Sequence, residues 1–232
     1  MTWSEYLGTL LDELPALARS VTSHVRQNIR ELLDDTAQLA SRQHLLAMDH
    51  VLRMQATVFS ETLAATLRSH VLDGEQTPMH DSTRPPVESD GPTGQALEEA
   101  RTVGLIESIA YWELREMQGS CASLRRARSI RPEQNPLRPE MCVGAFAATL
   151  ERAGFDEEMR IHALRANGSA LANVLRDFYV QQCRRLARRE LPTPALHDAP
   201  LATVVCLADR IRATDRPIEG TPRRRERRGN GR

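Results

Sequence analysis

The stretch that decides the fold runs from residue 45 to residue 71 and reads LLAMDHVLRMQATVFSETLAATLRSHV. Its apolar residues recur every three, four or seven positions, at Leu45, Met48, Leu52, Phe59, Leu63, Leu67 and Val71. Side chains at these intervals lie on one face of an α-helix, and polar residues occupy its other faces. The spacing therefore predicts one long amphipathic helix, about 40 Å in length.

A second long amphipathic segment precedes it at residues 16–39, with apolar side chains at Leu17, Val21, Val25, Ile29, Leu32 and Leu39. A shorter one covers residues 3–14, and Pro15 is expected to interrupt the pattern and to open the next helix at its first turn. Residues 40–42 contain no Gly or Pro, so the two long segments form either an antiparallel hairpin or one continuous rod. The hairpin is favoured, because an exposed apolar stripe needs a partner.

The rest of the chain alternates between Pro-rich breaks and helical patterns. Helical spacing resumes after residue 94 at Leu97, Val103, Leu105, Ile106, Ile109, Trp112, Leu114 and Met117. Three prolines at residues 131–140 exclude a continuous helix there, and Pro139 is expected to begin a new one that carries Val143, Phe146, Ala147 and Leu150. A further helical pattern covers residues 157–189, in which Asn167-Gly168 is a candidate break.

These boundaries predict four segments. Residues 1–72 are expected to form an N-terminal helical hairpin, and residues 95–214 a C-terminal helical domain. Residues 73–94 between them concentrate Pro, Gly, Ser, Thr and acidic side chains, which predicts a flexible linker. Residues 215–232 consist mainly of Pro, Gly, Glu and Arg, which predicts a disordered basic tail.

Composition favours an all-α fold. Hydrophobic residues make up 41% of the chain but aromatic residues only 4%, so the core must be built from Leu, Ala, Val and Met. That mixture suits helices better than strands. No apolar run is long enough to cross a bilayer. No signal peptide is visible at the N-terminus and the four cysteines lack paired spacing, so we expect a cytoplasmic protein with reduced thiols.

Charge is divided between the two halves of the chain, although the formal net charge is +0. Residues 1–120 carry 9 Arg against 18 acidic residues, and residues 121–232 carry 22 Arg against 13, with no Lys in either half. The halves can neutralise one another, or the basic half can bind an anionic partner. Both interpretations stay open at this point.

Twelve arginines in three clusters are the candidate contacts to an anion or a nucleic acid. They are Arg125, Arg126 and Arg128; Arg184, Arg185, Arg188 and Arg189; and Arg223, Arg224, Arg225, Arg227 and Arg228. Guanidinium groups bind phosphate with paired hydrogen bonds, so dense Arg clusters fit a phosphate backbone. The alternative for the first two clusters is internal pairing with acidic residues of the first half, such as Glu31 or Glu98. No aromatic residue interleaves the tail, which argues against base stacking on a single strand.

Motifs for catalysis, metal binding or cofactor binding are not found in the sequence. It contains no His-Glu-x-x-His, no Gly-x-Ser-x-Gly, no phosphate-binding Gly loop and no dinucleotide fingerprint. None of the seven histidines is followed four residues later by His or Cys. We therefore predict no catalytic residue, no metal site and no cofactor, and we expect Trp3, Tyr111 and Trp112 to anchor helix packing.

Four stretches carry a resemblance to a known family. They are NPLRPE at residues 135–140 with the following Ala145-Phe146, LDDTAQLA at residues 33–40 with Ala47-Met48, GLIES at residues 104–108, and residues 171–179 closed by Leu191-Pro192. In this order, over residues 16–192, the chain resembles the N-terminal portion of the proteobacterial domain of unknown function 1631, whose members are sometimes labelled thymidine phosphorylase-like. The resemblance implies a helical fold and a bacterial origin, and none of its motifs is catalytic.

The sequence as a whole predicts a non-enzymatic protein-interaction or regulatory module. Amphipathic helices associate readily with other helices, so the expected partner is another protein or a second copy of the chain. The alternative is nucleic-acid binding through the arginine clusters and the tail.

Overall fold

The computed structural model describes residues 1–35, 39–76, 93–127 and 129–190, without the side chains of residues 39–41, 76 and 188–190. These residues form six α-helices and one short 3-10 turn at Pro132–Gln134, and no strand occurs among them. The helices are α1 (Trp3–Asp35), α2 (Leu39–Gln76), α3 (Gly94–Ile109), α4 (Tyr111–Leu124), α5 (Pro139–Arg152) and α6 (Glu157–Glu190). The all-α prediction is confirmed. Most of the predicted linker and the whole predicted tail lie outside the described residues.

The first two helices form an antiparallel hairpin. At one end the Trp3 indole N–H donates to Glu75 Oε2 at 3.0 Å, and towards the other end Arg30 Nε lies 3.7 Å from Asp49 Oδ1. All seven apolar residues that predicted α2 are buried. The helix continues through residues 73–76, which the sequence assigned to the linker, and Glu75 within this extension is held by Trp3 and Arg125.

Pro15 does not interrupt the first helix, contrary to the prediction. It lies inside α1, which is continuous from Trp3 to Asp35. A proline in a helix interior loses a backbone hydrogen bond and costs about 3 kcal/mol. The Pro15 ring is exposed, whereas Leu10, Leu14 and Leu17 are buried on the other side of the helix. Burial of these leucines offsets the penalty, because each buried Leu contributes about 1.5–3 kcal/mol.

The segment that forms α3 and α4 differs most from its prediction, both in its continuity and in the residues that it buries. A non-helical residue, Ala110 (φ −106°, ψ 25°), separates the two helices. The buried face of α3 carries Glu98, Thr102 and Ile106 at intervals of four, while Leu97 is 61% exposed. The apolar pattern predicted that Leu97 is buried, because a pattern of apolar residues leaves out polar side chains that are buried together with a hydrogen-bond partner. Thr102 and Glu98 each have such a partner. Thr102 Oγ1 donates to the Glu98 carbonyl oxygen at 2.8 Å, and Arg165 Nη2 donates to Glu98 Oε1 at 2.6 Å.

Helices α5 and α6 connect the hairpin of α1 and α2 to α3 and α4. Pro139 begins α5 as predicted, and the four apolar residues that predicted it are buried. Helix α6 runs unbroken through the candidate break at Asn167-Gly168. The buried Asn167 amide donates to the Ala163 carbonyl at 3.0 Å, and its oxygen accepts from Asn28 of α1, also at 3.0 Å. Helix α6 packs against α1, α3 and α4, and α5 packs against α2 and α3. The hairpin and the helices that follow it therefore share one hydrophobic core.

Among the described residues, no helix combines the length and the apolar character that crossing a membrane would require.

Candidate functional site

The first arginine cluster lies at the C-terminal end of α4, against the start of α1. The Arg125 guanidinium forms an ion pair with Glu75 and stacks on the Trp3 ring, 3.8 Å from its centroid. Trp3 also donates its indole N–H to the second Glu75 oxygen. The charge of Arg125 is thus neutralised inside the fold, and the aromatic face that a ligand base would need is already occupied.

Beside Arg125 is an open cleft of about 630 Å³ that retains free basic groups. Trp3, Arg125, Arg126, Arg131 and Gln134 line it. Arg126 and Arg131 are exposed, and Arg126 adopts a left-handed backbone conformation (φ 53°) that turns the chain sharply after α4. This turn is closed by the Ala127 N–H, which donates to the Ala122 carbonyl at 2.9 Å. Two guanidinium groups can therefore reach an anion in the cleft.

The second arginine cluster lies on α6 and is divided between its two sides. Arg185 forms an ion pair with Glu13 of α1, and the Gln182 amide donates to the other Glu13 oxygen at 2.6 Å. Arg184 points to solvent. Arg188 and Arg189 continue α6, but their side chains lie outside the described part of the structure, as do Arg128 and the tail residues Arg223, Arg224, Arg225, Arg227 and Arg228.

The two described clusters stay apart in the fold. Their contacts on α1, Trp3 and Glu13, are ten residues from each other, which corresponds to about 15 Å of helix. A single short anion cannot span that distance with both clusters, so Arg126 and Arg184 belong to separate surfaces.

Among the described residues, three Arg–Glu ion pairs between helices join the acidic half of the chain to the basic half. They are Glu13–Arg185, Glu75–Arg125 and Glu98–Arg165, the last with a separation of 2.6 Å. The Glu98 carboxylate is buried, and such a charge persists in a protein interior only when it is paired. The internal-pairing alternative therefore describes Arg125 and Arg185, while Arg126, Arg131 and Arg184 remain on the surface.

An exposed aromatic cluster, formed by Tyr111, Trp112 and Arg115, lies at the start of α4. Trp112 is 77% exposed, its ring packs edge-on against Tyr111 with centroids 5.1 Å apart, and the Arg115 guanidinium lies 5.8 Å from the Tyr111 centroid. The expectation that Tyr111 and Trp112 anchor helix packing is wrong, whereas Trp3 does pack against the core. The buried Ala110 and Leu114 flank Trp112 by two residues on each side, a register that turns Trp112 away from the core.

The thiols of the described cysteines are buried and protonated. Burial raises the pKa of Cys121 and of Cys142 to about 12. Burial, reinforced by Glu116 and Glu113, also raises the pKa of Cys183 to about 12. Because the thiolate is the nucleophilic form, these cysteines are inert at neutral pH. They act as small apolar groups in the core.

A comparison with known proteins identifies no relative. No family model, no curated protein and no solved structure matches this chain. The resemblance to the domain of unknown function 1631 therefore stays a prediction.

Proposed function

We propose that this chain is a non-enzymatic interaction module that binds another protein through the aromatic cluster of α4. The exposure of Trp112 carries the proposal. Trp, Tyr and Arg are the three residue types most enriched among interface hot spots, and all three occur side by side in this cluster. Two of them are aromatic in a chain with only 4% aromatic residues.

The energetics favour a partner that covers the indole. A Trp side chain buries on the order of 200 Å² when it enters an interface. At about 25 cal/mol per Å² of apolar surface, this burial contributes about 5 kcal/mol before the costs of association. The other large apolar side chains that are exposed in the described part of the chain, such as Leu97, Met54 and Val58, are not aromatic. Met54 and Val58 are four residues apart on α2, and a pair of this size is normal for a protein surface.

Replacing Trp112 tests the proposal. In Trp112→Ala, we expect the affinity for the partner, or the self-association of the chain, to fall by about 2 kcal/mol or more, which is about 30-fold. Sedimentation velocity measures self-association, and a photoreactive amino acid placed at residue 112 captures a partner covalently for identification. The fold should be unaffected, because the side chain contributes little to the core.

Met54→Ala is the matched control, since Met54 is also a large apolar side chain of similar exposure, but on α2. It should leave binding unchanged. A chain that is monomeric at all concentrations and forms no crosslinks from residue 112 would contradict the proposal. Equal loss of binding in both variants would show that general surface hydrophobicity, and not the aromatic cluster, drives association.

A second candidate function, nucleic-acid binding, is supported by the basic cleft. Arg126 and Arg131 present two guanidinium groups at the cleft surface. Each phosphate that a protein neutralises on duplex DNA contributes about −0.9 to the slope of log affinity against log salt. Binding through the cleft alone therefore predicts a slope of about −2, and the five arginines of residues 223–228 would make the slope steeper.

Filter binding to duplex DNA at several salt concentrations measures this slope. The double variant Arg126→Ala/Arg131→Ala should reduce it by about 2. Arg53→Ala/Arg68→Ala removes the same charge from exposed positions on α2 and should change it less. No affinity for DNA at low salt would exclude this function.

We also propose that the protein is bacterial and cytoplasmic. Cys121, Cys142 and Cys183 are all free and buried, and free thiols are typical of a reducing compartment.

A further inference from the structure

Two histidines and a glutamate converge where α2 meets the first turns of α6. His44 comes from α2, and Glu158 and His162 come from α6, four residues apart on one face. Nε2 of His44 lies 3.7 Å from Glu158 Oε1, and Nε2 of His162 lies 4.0 Å from the same oxygen. One potential ligand atom from each of the three residues lies within 4.8 Å of the other two.

The two imidazole rings are stacked, with centroids 4.3 Å apart and an interplanar angle of 17°. A neutral imidazole keeps a nitrogen lone pair, which is the form that binds a metal ion. The lone pair of Nε2 lies in the plane of its ring, so one of the two nearly parallel rings must turn about its Cβ–Cγ bond before both Nε2 atoms point at the same ion.

We propose that His44, Glu158 and His162 bind a divalent transition-metal ion of the zinc class. Imidazole and carboxylate ligands suit Zn²⁺ and its neighbours better than Mg²⁺ or Ca²⁺, which prefer sites made only of oxygen. A tetrahedral zinc ion with ligands at about 2.0–2.1 Å holds them about 3.4 Å apart. The two contacts to Glu158 Oε1 are only a few tenths of an ångström longer.

Movements of side chains alone would close the site. Glu158 is 73% exposed, and the two histidines are half-buried. A shift of the Glu158 side chain and a turn of one imidazole ring would place the oxygen and the two nitrogens around the ion without moving either helix. Three protein ligands leave one position of a tetrahedral ion to water.

The ion would link two helices that otherwise touch over only a short stretch. It would connect the start of α2 to the start of α6. Binding therefore stabilises this contact and raises the unfolding temperature.

Calorimetric titration of the complete, EDTA-treated chain with ZnCl2 tests the site, and MgCl2 serves as the comparison ion. We expect one zinc ion to bind and magnesium to give no heat. Loss of an outer-shell partner of a metal typically weakens binding 10–100-fold, so His44→Ala or His162→Ala, each of which loses a direct ligand, should weaken zinc binding by at least about tenfold. Zinc should raise the unfolding temperature of the parent chain but not of these variants.

Two further variants distinguish loss of a ligand from misfolding and from zinc binding at a different histidine. Glu158→Gln changes an exposed side chain, so it should fold normally by circular dichroism and still weaken zinc binding. His50→Ala removes an exposed histidine of α2 that is not in the cluster, and it should bind zinc like the parent chain. Zinc affinity that is unchanged in both His44→Ala and His162→Ala would overturn the proposal, and so would failure of the parent chain to bind zinc.

Discussion

Phe146→Ala is expected to lower the free energy of unfolding by about 3–5 kcal/mol. Phe146 lies in α5, is 1% exposed, and packs edge-on against Phe59 of α2 with ring centroids 6.1 Å apart. The substitution removes a ring from the centre of the shared core and leaves a cavity that rigid helices close only in part. It also removes the aromatic pair, which contributes about 0.5–1.5 kcal/mol beyond its buried area.

Urea denaturation followed by circular dichroism measures this loss. Phe146→Leu is the control, because it keeps most of the volume and should cost less than about 1.5 kcal/mol. A loss below about 1 kcal/mol for Phe146→Ala would contradict the packing of α5 on α2. Such a result would also contradict the inference that the hairpin and the later helices share a core.

A sharp loss of stability at alkaline pH is the second large effect that we expect. Burial raises the pKa of the Cys121 and Cys142 thiols from 9.0 to about 12. In the unfolded chain these thiols ionise near pH 9, whereas in the folded chain they keep their protons up to about pH 12. The stability that this difference provides is complete below pH 9 and is lost progressively between pH 9 and pH 12.

The size of the effect follows from proton linkage. At pH 10.5 each thiol should have lost about 2 kcal/mol of stability, so the two together should lose about 4 kcal/mol relative to pH 7. Burial also raises the pKa of Tyr179, whose hydroxyl donates to the Leu137 carbonyl at 2.8 Å, and this group adds to the loss above pH 10.

Urea midpoints measured in reducing buffer between pH 7 and pH 10.5 test the prediction. Cys142→Ala should be less stable at every pH, because it leaves a small cavity, but its stability should fall less steeply with pH. A free energy of unfolding that stays constant up to pH 10.5 would show that these thiols are accessible to solvent in the folded chain.

The helices that were predicted most accurately are those whose buried faces are purely apolar. Every residue that predicted the buried face of α2 is buried, and the same holds for Val143, Phe146, Ala147 and Leu150 of α5. Hydrophobic periodicity is a local property of the chain, so it can be read without knowledge of the packing partner. Gln55, where α2 departs from helical geometry (φ −124°, ψ 22°), lies in the one seven-residue gap of that pattern.

The register of α3 could not be predicted in this way. Glu98 faces inward because Arg165, 67 residues later, supplies its counter-charge. The cost of burying a carboxylate depends on whether such a partner is present, and that depends on the packing of α6. A pattern that counts only apolar residues therefore placed Leu97 inside instead.

For the candidate sites too, some features could be predicted from the sequence and others depend on the packing of the helices. The arginine clusters are visible in the sequence, but their availability is not, because Glu75 and Glu13 neutralise Arg125 and Arg185 from distant parts of the chain. The Glu158–His162 half of the proposed metal site has a helical spacing that can be read directly, whereas His44 joins it only through the packing of α2 on α6.

The amino-acid sequence by itself determined the helical class, the apolar face of α2, the start of α5 and the division of charge along the chain. These follow from backbone propensities, apolar periodicity and composition, which act over a few residues at a time. Only the tertiary structure decided which polar groups lie inside, which arginines stay free, that Trp112 faces solvent and that two histidines stack. Each of these depends on the free energy of a contact between residues distant in sequence, and that contact exists only after the helices have packed.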